Sequence, residues 1–179
     1  MNLSKISPMS AWQILIKPER IPYSIENLGS TISCFNNYDC YRKDFTFLNE
    51  QKSKICVSLF FPIKQNINNL DFENLKLNGP CIVYCHSQSG NRVEGNFLKE
   101  YCIENGFGLC LFDFNGCGKS EGEYVTLGWR EQDDLSQLIL ILLKDYNVTS
   151  IGLWGRSMGA VTCLHYAKRN SMYIRAMVR

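Results

Sequence analysis

Apolar and polar positions alternate in blocks along the chain, and the block lengths predict its elements. Two β-rich runs, DFTFL from Asp44 and KICVSLFF from Lys54, are separated by the short polar connector NEQKS. Runs so close together predict an antiparallel hairpin. Further on the runs become continuously apolar: PCIVYCH from Pro80, FGLCLFDF from Phe107, SIGLW from Ser150 and YIRAMV from Tyr173. Unbroken apolar runs of this length mark strands buried on both faces. Between them lie stretches of helical period. In NRVEGNFLKEYCIENG, Val93, Phe97, Tyr101 and Cys102 fall on one face, and Gly106 suits a C-terminal cap. In GWREQDDLSQLILILLKDY, Leu135, Leu138, Ile139 and Leu142 share a face. There Glu131, Asp133 and Asp134 come early and Lys144 late, as the helix dipole favours. SMGAVTCLHYAKRN forms the third helix. Alternating strand–helix units with apolar strands predict an α/β fold, a mostly parallel sheet with helices on both faces.

The segments around this core are less regular. Trp12, Ile14 and Ile16 alternate, and Pro18 and Pro22 then interrupt any element. Residues 1–43 are expected to form an extended arm over the domain, and residues 44–179 an incomplete α/β domain. The polar, Asn-rich stretch from Ile63 to Gly79 reads as a surface loop.

Composition narrows the class. At 179 residues, 45% hydrophobic and 20% charged, the chain suits one folded domain and not a disordered one. A formal net charge of +2 offers no electrostatic case for nucleic acid or an anionic membrane. The longest uncharged apolar run, inside LSQLILILLKDY, is well short of the ~20 residues of a transmembrane helix. No signal-peptide pattern opens the chain. Nine cysteines are an odd number without paired spacing, and Cys56, Cys81, Cys85 and Cys110 lie in apolar runs as small hydrophobes. No zinc-type spacing is present, so neither a metal nor an organic cofactor is implied. The expected setting is reducing and cytoplasmic.

In parallel sheets the chemistry gathers beyond the carboxyl ends of the strands. Three strand ends carry unusual residues: His86-Ser87-Gln88-Ser89-Gly90, Asp113-Phe114-Asn115-Gly116-Cys117-Gly118 and Gly155-Arg156-Ser157-Met158-Gly159. The last reads G-x-S-x-G between an apolar strand and a helix. A turn that sharp lifts Ser157 to the top of the sheet as a nucleophile, and the flanking Gly155 and Gly159 remove side chains that would clash. The Met158 N–H at the helix start, with an N–H from the Ser87–Gln88 loop, would form an oxyanion hole. The plainer alternative is a glycine turn with Ser157 as an N-cap. Gly118-Lys119-Ser120 imitates the end of a phosphate-binding loop, but Asp113 stands where that motif needs its first glycine. Glu121 likewise occupies the last glycine position of a dinucleotide motif. Asp113 is better explained as the anchor of the glycine turn.

YCHSQSGNR, FDFNGCGKSEGEYVTLGWREQDDL and IGLWGRSMGAVTCLHYA together resemble the α/β-hydrolase superfamily, most closely a eukaryotic branch near the serine-aminopeptidase-like hydrolases. The segment from Trp12 to Tyr23, with Ile16, Pro18 and Arg20, matches as well. The resemblance implies Ser157 as nucleophile and the N–H groups of Ser87, Gln88 and Met158 as oxyanion hole, with His86 shaping the oxyanion loop. Ser87 stands where this branch has the glycine of HGN.

An activated serine needs a base, nearly always His, oriented by a carboxylate. His165 follows Ser157 by eight positions on one helix, a displacement of ~12 Å, and reads as a satisfied, partly buried histidine. His86 is near enough to be weighed as a base. No Asp or Glu follows Ser157. The expectation is therefore a serine hydrolase of esters, thioesters or amides, represented by a fragment whose acid and base would come after Arg179. A non-catalytic scaffold or binding protein of the same fold is the alternative. Substrates compatible with this pattern are a small molecule, a lipid or an acylated protein.

Overall fold

The computed structural model describes residues 8–36, 38–64, 70–170 and 172–178. Seven strands form one sheet: β1 (Ile32–Phe35), β2 (Tyr38–Leu48), β3 (Lys54–Ile63), β4 (Pro80–Cys85), β5 (Gly108–Phe112), β6 (Ser150–Gly155) and β7 (Ile174–Val178). Their spatial order is β1-β2-β3-β5-β4-β6-β7. The β4, β5, β6 and β7 strands pair in parallel, whereas β1 with β2, β2 with β3 and β3 with β5 are antiparallel. The sheet is thus mixed, with its parallel part confined to the strand–helix units. The expected hairpin is β2–β3, in register from Leu48 opposite Lys54 to Asp39 opposite Ile63.

Among the described residues four α-helices accompany the sheet: α1 (Pro8–Ile16), α2 (Lys99–Glu104), α3 (Glu131–Asp145) and α4 (Met158–Arg169). One core lies between the sheet and α3 and α4. It joins Val57, Leu59 and Phe61 of β3 and Val83 and Cys85 of β4 to Leu135, Leu138 and Leu142 of α3 and Cys163 of α4. The opposite face holds Phe60, Tyr84, Leu109 and Leu111 against Leu98, Cys102 and Ile103. Alternate residues of one strand therefore enter different cores, which is why β5 is buried throughout.

Three expectations need correction. The N-terminal segment is not extended: Pro8 opens α1, where proline's missing N–H costs nothing, and Pro18 lies just beyond its end. The prolines bound the helix and do not prevent it. Regular strand structure begins at Ile32, before Asp44, because β1 and the first half of β2 already belong to the sheet. The segment from Arg92 is a 3-10 helix to Leu98 followed by the short α2, and its buried side only partly matches the expected one, since Cys102 and Val93 pack inward but Phe97 and Tyr101 do not. Phe97 and Tyr101 are exposed, while Gly95, Leu98 and Cys102 face the sheet. A Cβ on Gly95 would stand 2.6 Å from Tyr84 and Leu111 side chains, so the backbone itself lies on the strands there. Part of the expected surface loop, residues 65–69, lies outside the described residues.

The three strand-end clusters converge through topology. After β4 the chain crosses to β5 on one side, and after β6 it crosses to β7 on the other. The neighbouring carboxyl ends of β4 and β6 are the topological switch point, where open α/β sheets place their ligands.

All nine cysteines are free thiols. Burial pushes the Cys40 thiol up to about 11 and those of Cys102 and Cys117 up to about 12, so these act as apolar groups at neutral pH. Among the described residues no helix is long and apolar enough to cross a membrane.

Candidate active site

Ser157 stands between the end of β6 and the first residue of α4, with φ 53° and ψ −117°. A positive φ is sterically unfavourable for a residue with a Cβ, and such strain costs about 1–3 kcal/mol. Two flanking glycines make the turn possible. A Cβ on Gly155 would lie 2.6 Å from the Ala160 backbone, and one on Gly159 would lie 1.9 Å from the Cys85 carbonyl oxygen. The Arg156 N–H donates to that same Cys85 oxygen at 3.1 Å, clamping the turn onto β4. The Ser157 side chain makes no capping hydrogen bond, which removes the N-cap explanation for its presence. Its residue is exposed, and its hydroxyl has no partner among the described residues.

The loop after β4 lies beside this turn, and His86 organises its base. His86 is fully buried. Phe114 N–H donates to its Nε2 at 3.0 Å, so Nε2 carries the lone pair and Nδ1–H donates to the Ser87 carbonyl at 2.6 Å. Desolvation lowers its pKa, partly offset by the bond to Ser87. Through these two bonds His86 ties the end of β4 to the backbone just beyond β5. His165 meets the Trp129 ring edge-on, with centroids 6.1 Å apart.

The Ser87 N–H does not point into an empty crevice. It donates to Glu94 Oε1 at 3.1 Å, while the Ser87 hydroxyl donates to Glu94 Oε2 at 2.6 Å. The N–H groups of Gln88 and Met158 have no hydrogen-bond partner among the described residues. The Gln88 side chain donates to the Leu15 carbonyl at the end of α1, so the N-terminal helix borders the loop.

Asp113, at the end of β5, is fully buried and saturated. Its Oδ1 accepts from the Arg92 N–H at 2.7 Å. Its Oδ2 accepts from the Tyr23 hydroxyl at 2.6 Å and the Lys119 N–H at 2.9 Å. The buried Arg92 guanidinium pairs with it at 3.8 Å and donates to Tyr23 Oη at 2.6 Å. Burial and the adjacent Asp113 charge push the Tyr23 hydroxyl far above its ordinary pKa, keeping it a donor. The Gly118–Ser120 turn that imitates a phosphate loop is thus filled by the protein's own carboxylate. The Arg20 guanidinium adds bonds to the Gly118, Ser120 and Gly122 carbonyls.

Asp134 braces the same turn from α3. It accepts from Asn49 Nδ2 at 2.8 Å and from the Asn115 N–H at 3.1 Å. Burial nevertheless raises its pKa from 3.8 to about 6. Between about pH 4 and 6 the folded protein therefore holds a proton that the unfolded chain has released. Stability from this group is complete below about pH 4 and is lost as pH rises through about 6. Asp134→Asn should flatten that slope, measured as urea midpoints from pH 4 to 7; an unchanged slope would assign it to other groups.

Arg20, Tyr23, Arg92 and Glu94 carry no role in the motif-based reading of the sequence. A signal was present for Arg92, which closes the quoted YCHSQSGNR stretch, and for Arg20 and Tyr23 in the proline-flanked segment. Their partners lie as far as 102 positions away, which no local pattern reports.

A mixed sheet carrying a strained serine turn at its switch point defines an α/β-hydrolase fold. Residues 86–179 match the family model described as serine aminopeptidase, S33, and the chain belongs to that family. Among curated proteins it is 32% identical over 87 residues to the uncharacterized protein YqkD of Bacillus subtilis, covering 48% of this chain and 28% of that one. It is 29% identical over 115 residues to the mitochondrial palmitoyl-protein thioesterase ABHD10 of Mus musculus, covering 62% and 37%. The chain thus spans about a third of the length of these relatives. Among solved structures, the Pyrococcus furiosus esterase Pf2001 superposes with a TM-score of 0.65 at 22% identity, over 90% of this chain and 56% of that one. A Vigna radiata epoxide hydrolase mutant superposes with a TM-score of 0.57 at 16% identity, over 76% and 37%. At these identities the superpositions establish the fold.

Proposed function

We propose that Ser157 is the nucleophile of a serine hydrolase that cleaves an ester, thioester or amide through an acyl-serine intermediate. The observation that carries this is the strained, exposed serine whose hydroxyl serves no structural purpose. Strain of this kind persists only where the surroundings enforce it. Ser157 Oγ attacks the carbonyl carbon and yields its proton to a general base. The carbonyl oxygen becomes an oxyanion, which the N–H groups of Gln88 and Met158 stabilise. Collapse of this intermediate expels the leaving group with the proton, and water then hydrolyses the acyl-serine by the same route. The Ser87 N–H, held by Glu94, supports the loop in place of contacting the oxyanion.

The described residues offer no base, since His86 is tied to backbone and His165 lies along α4 beside Trp129. Catalysis by Ser157 calls for a His oriented by an Asp or Glu, which the described residues do not supply. The missing base also favours a second reading, a non-catalytic scaffold of the same fold. Lipid, small-molecule and acylated-protein substrates all fit an acyl-serine route, and the thioesterase activity named for the mouse relative is one of them. Nine free thiols suit a reducing compartment such as the cytoplasm.

The experiment is turnover of a p-nitrophenyl ester by the chain, by a version extended past Arg179, and by Ser157→Ala counterparts. Turnover by the extended version that Ser157→Ala abolishes supports the hydrolase. Equal rates with and without the serine hydroxyl would leave the scaffold. Ser157→Gly should meanwhile raise stability by about 1 kcal/mol, because glycine accepts a positive φ.

A further inference from the structure

We infer that Glu94 is the positioning residue of the loop after β4, setting where the Gln88 N–H stands relative to Ser157. This rests on the serine reading above and adds a residue to it. Glu94 lies in the 3-10 helix Arg92–Leu98, with its own N–H donating to the Asn91 carbonyl at 3.0 Å. Its carboxylate is mostly buried, with 15% of the side chain exposed. Three donors converge on it: the Ser87 N–H at 3.1 Å, the Ser87 hydroxyl at 2.6 Å and the Tyr84 hydroxyl at 2.9 Å. The Arg156 guanidinium faces it at 3.8 Å. A carboxylate has roughly four acceptor sites, so this one is nearly filled.

The placement of these donors gives the group its role. Tyr84 belongs to β4, Ser87 to the loop that carries Gln88, and Arg156 to the turn that carries Ser157. One carboxylate thus ties together the elements that would supply nucleophile and oxyanion donors. Gly90 closes the loop through its N–H to the Ser87 carbonyl at 2.9 Å. A Cβ there would come within 2.2 Å of Glu94 Oε2, so the loop is shaped around the carboxylate. The Ser87 hydroxyl finds its acceptor in the same group. Glu94 touches no reacting atom: its charge is taken up by its donors and by Arg156, and it acts through the backbone it holds.

Hydrogen exchange on the full chain tests this without any catalysis. Glu94→Ala should speed exchange of the Ser87 amide by about ten-fold or more, with the β4 and β6 amides unchanged. Glu94→Gln should restore protection, because its amide oxygen still accepts from the Ser87 N–H while its NH2 donates to the Ser87 hydroxyl. Should Glu94→Ala not fold, Glu94→Asp, one methylene too short to reach both donors, serves instead. An unchanged Ser87 rate in the alanine or aspartate variant overturns the inference whether or not Ser157 reacts. In the version that turns over p-nitrophenyl ester, Glu94→Ala should lower kcat about ten- to hundred-fold with little change in KM, since displaced donors fail mainly in the transition state. A change confined to KM overturns the positioning role. If Ser157→Ala leaves turnover unaffected while the exchange effect holds, the serine reading fails and the Glu94 assignment stands.

Discussion

Gly159→Ala is expected to lower the melting temperature by roughly 6–12 °C, the equivalent of about 3 kcal/mol in a domain of this size. The added Cβ would meet two backbone carbonyl oxygens, that of Cys85 at 1.9 Å and that of His86 at 2.7 Å. Neither is the end of a flexible side chain that could swing aside. To make room, α4 would have to lift from the end of β4, breaking the Arg156 N–H to Cys85 bond and opening the core around Cys163. Gly152→Ala is the matching control within β6, because a Cβ there meets only ordinary contacts, Ile82 Cγ1 at 3.5 Å and the Cys81 oxygen at 4.0 Å. Thermal melts followed by circular dichroism separate the two. A Gly159→Ala protein melting within two or three degrees of the unaltered chain would mean that helix and strand are not clamped at this point.

Asp113→Ala should cost about 3–5 kcal/mol, the penalty for leaving a buried cation without its partner. The guanidinium of Arg92 is buried and loses its counter-charge. The Arg92 and Lys119 N–H groups and the Tyr23 hydroxyl lose their acceptor at the same time. Tyr23→Phe removes one donor to the carboxylate and the acceptor of Arg92 Nε, leaves the charge pair in place, and should cost less, about 1–3 kcal/mol. Urea unfolding of both variants checks the ratio. Equal losses would mean that the phenol, and not the charge pair, holds the glycine turn. Because the same carboxylate anchors the start of the 3-10 helix that carries Glu94, Asp113→Ala should also loosen the Ser87 loop, read as faster Ser87 amide exchange.

How far each feature was legible follows from the distance between its parts. The β4, β5 and β6 strands, α3 and α4 each carry their pattern within a few residues. Apolar runs bounded by Gly, Asn or Ser, and leucines at helical spacing, are local signals. The G-x-S-x-G turn is local too, since two missing Cβ atoms and a strained serine between a strand and a helix are read from five consecutive positions. Local reading failed where a residue's partner lay elsewhere. Phe97 and Tyr101 continue the helical spacing of Val93, yet they are exposed, and the close approach of Gly95 to β4 and β5 turns Leu98 and Ile103 inward beside Cys102. The alternation of Trp12, Ile14 and Ile16 suggests an extended arm, but the segment forms a helix that begins at a proline.

What the sequence determined alone is the class of the chain: an α/β sheet, the position of the strained serine, and the poor fit of the Gly118–Ser120 turn to a phosphate. These depend on backbone sterics and on side-chain period, which act between near neighbours. Only the tertiary structure decided that His86 is held by two backbone groups, that the Ser87 N–H is already spent on Glu94, and that Asp113 binds Arg92, Tyr23 and Lys119. The sequence suggests an anchoring role for Asp113 and a loop-shaping role for His86, but it names none of their partners. Folding buries His86, Asp113 and Arg92 near the carboxyl ends of β4 and β5, where a buried polar group needs a partner within the protein. That requirement, imposed by burial, assigns each of them its role.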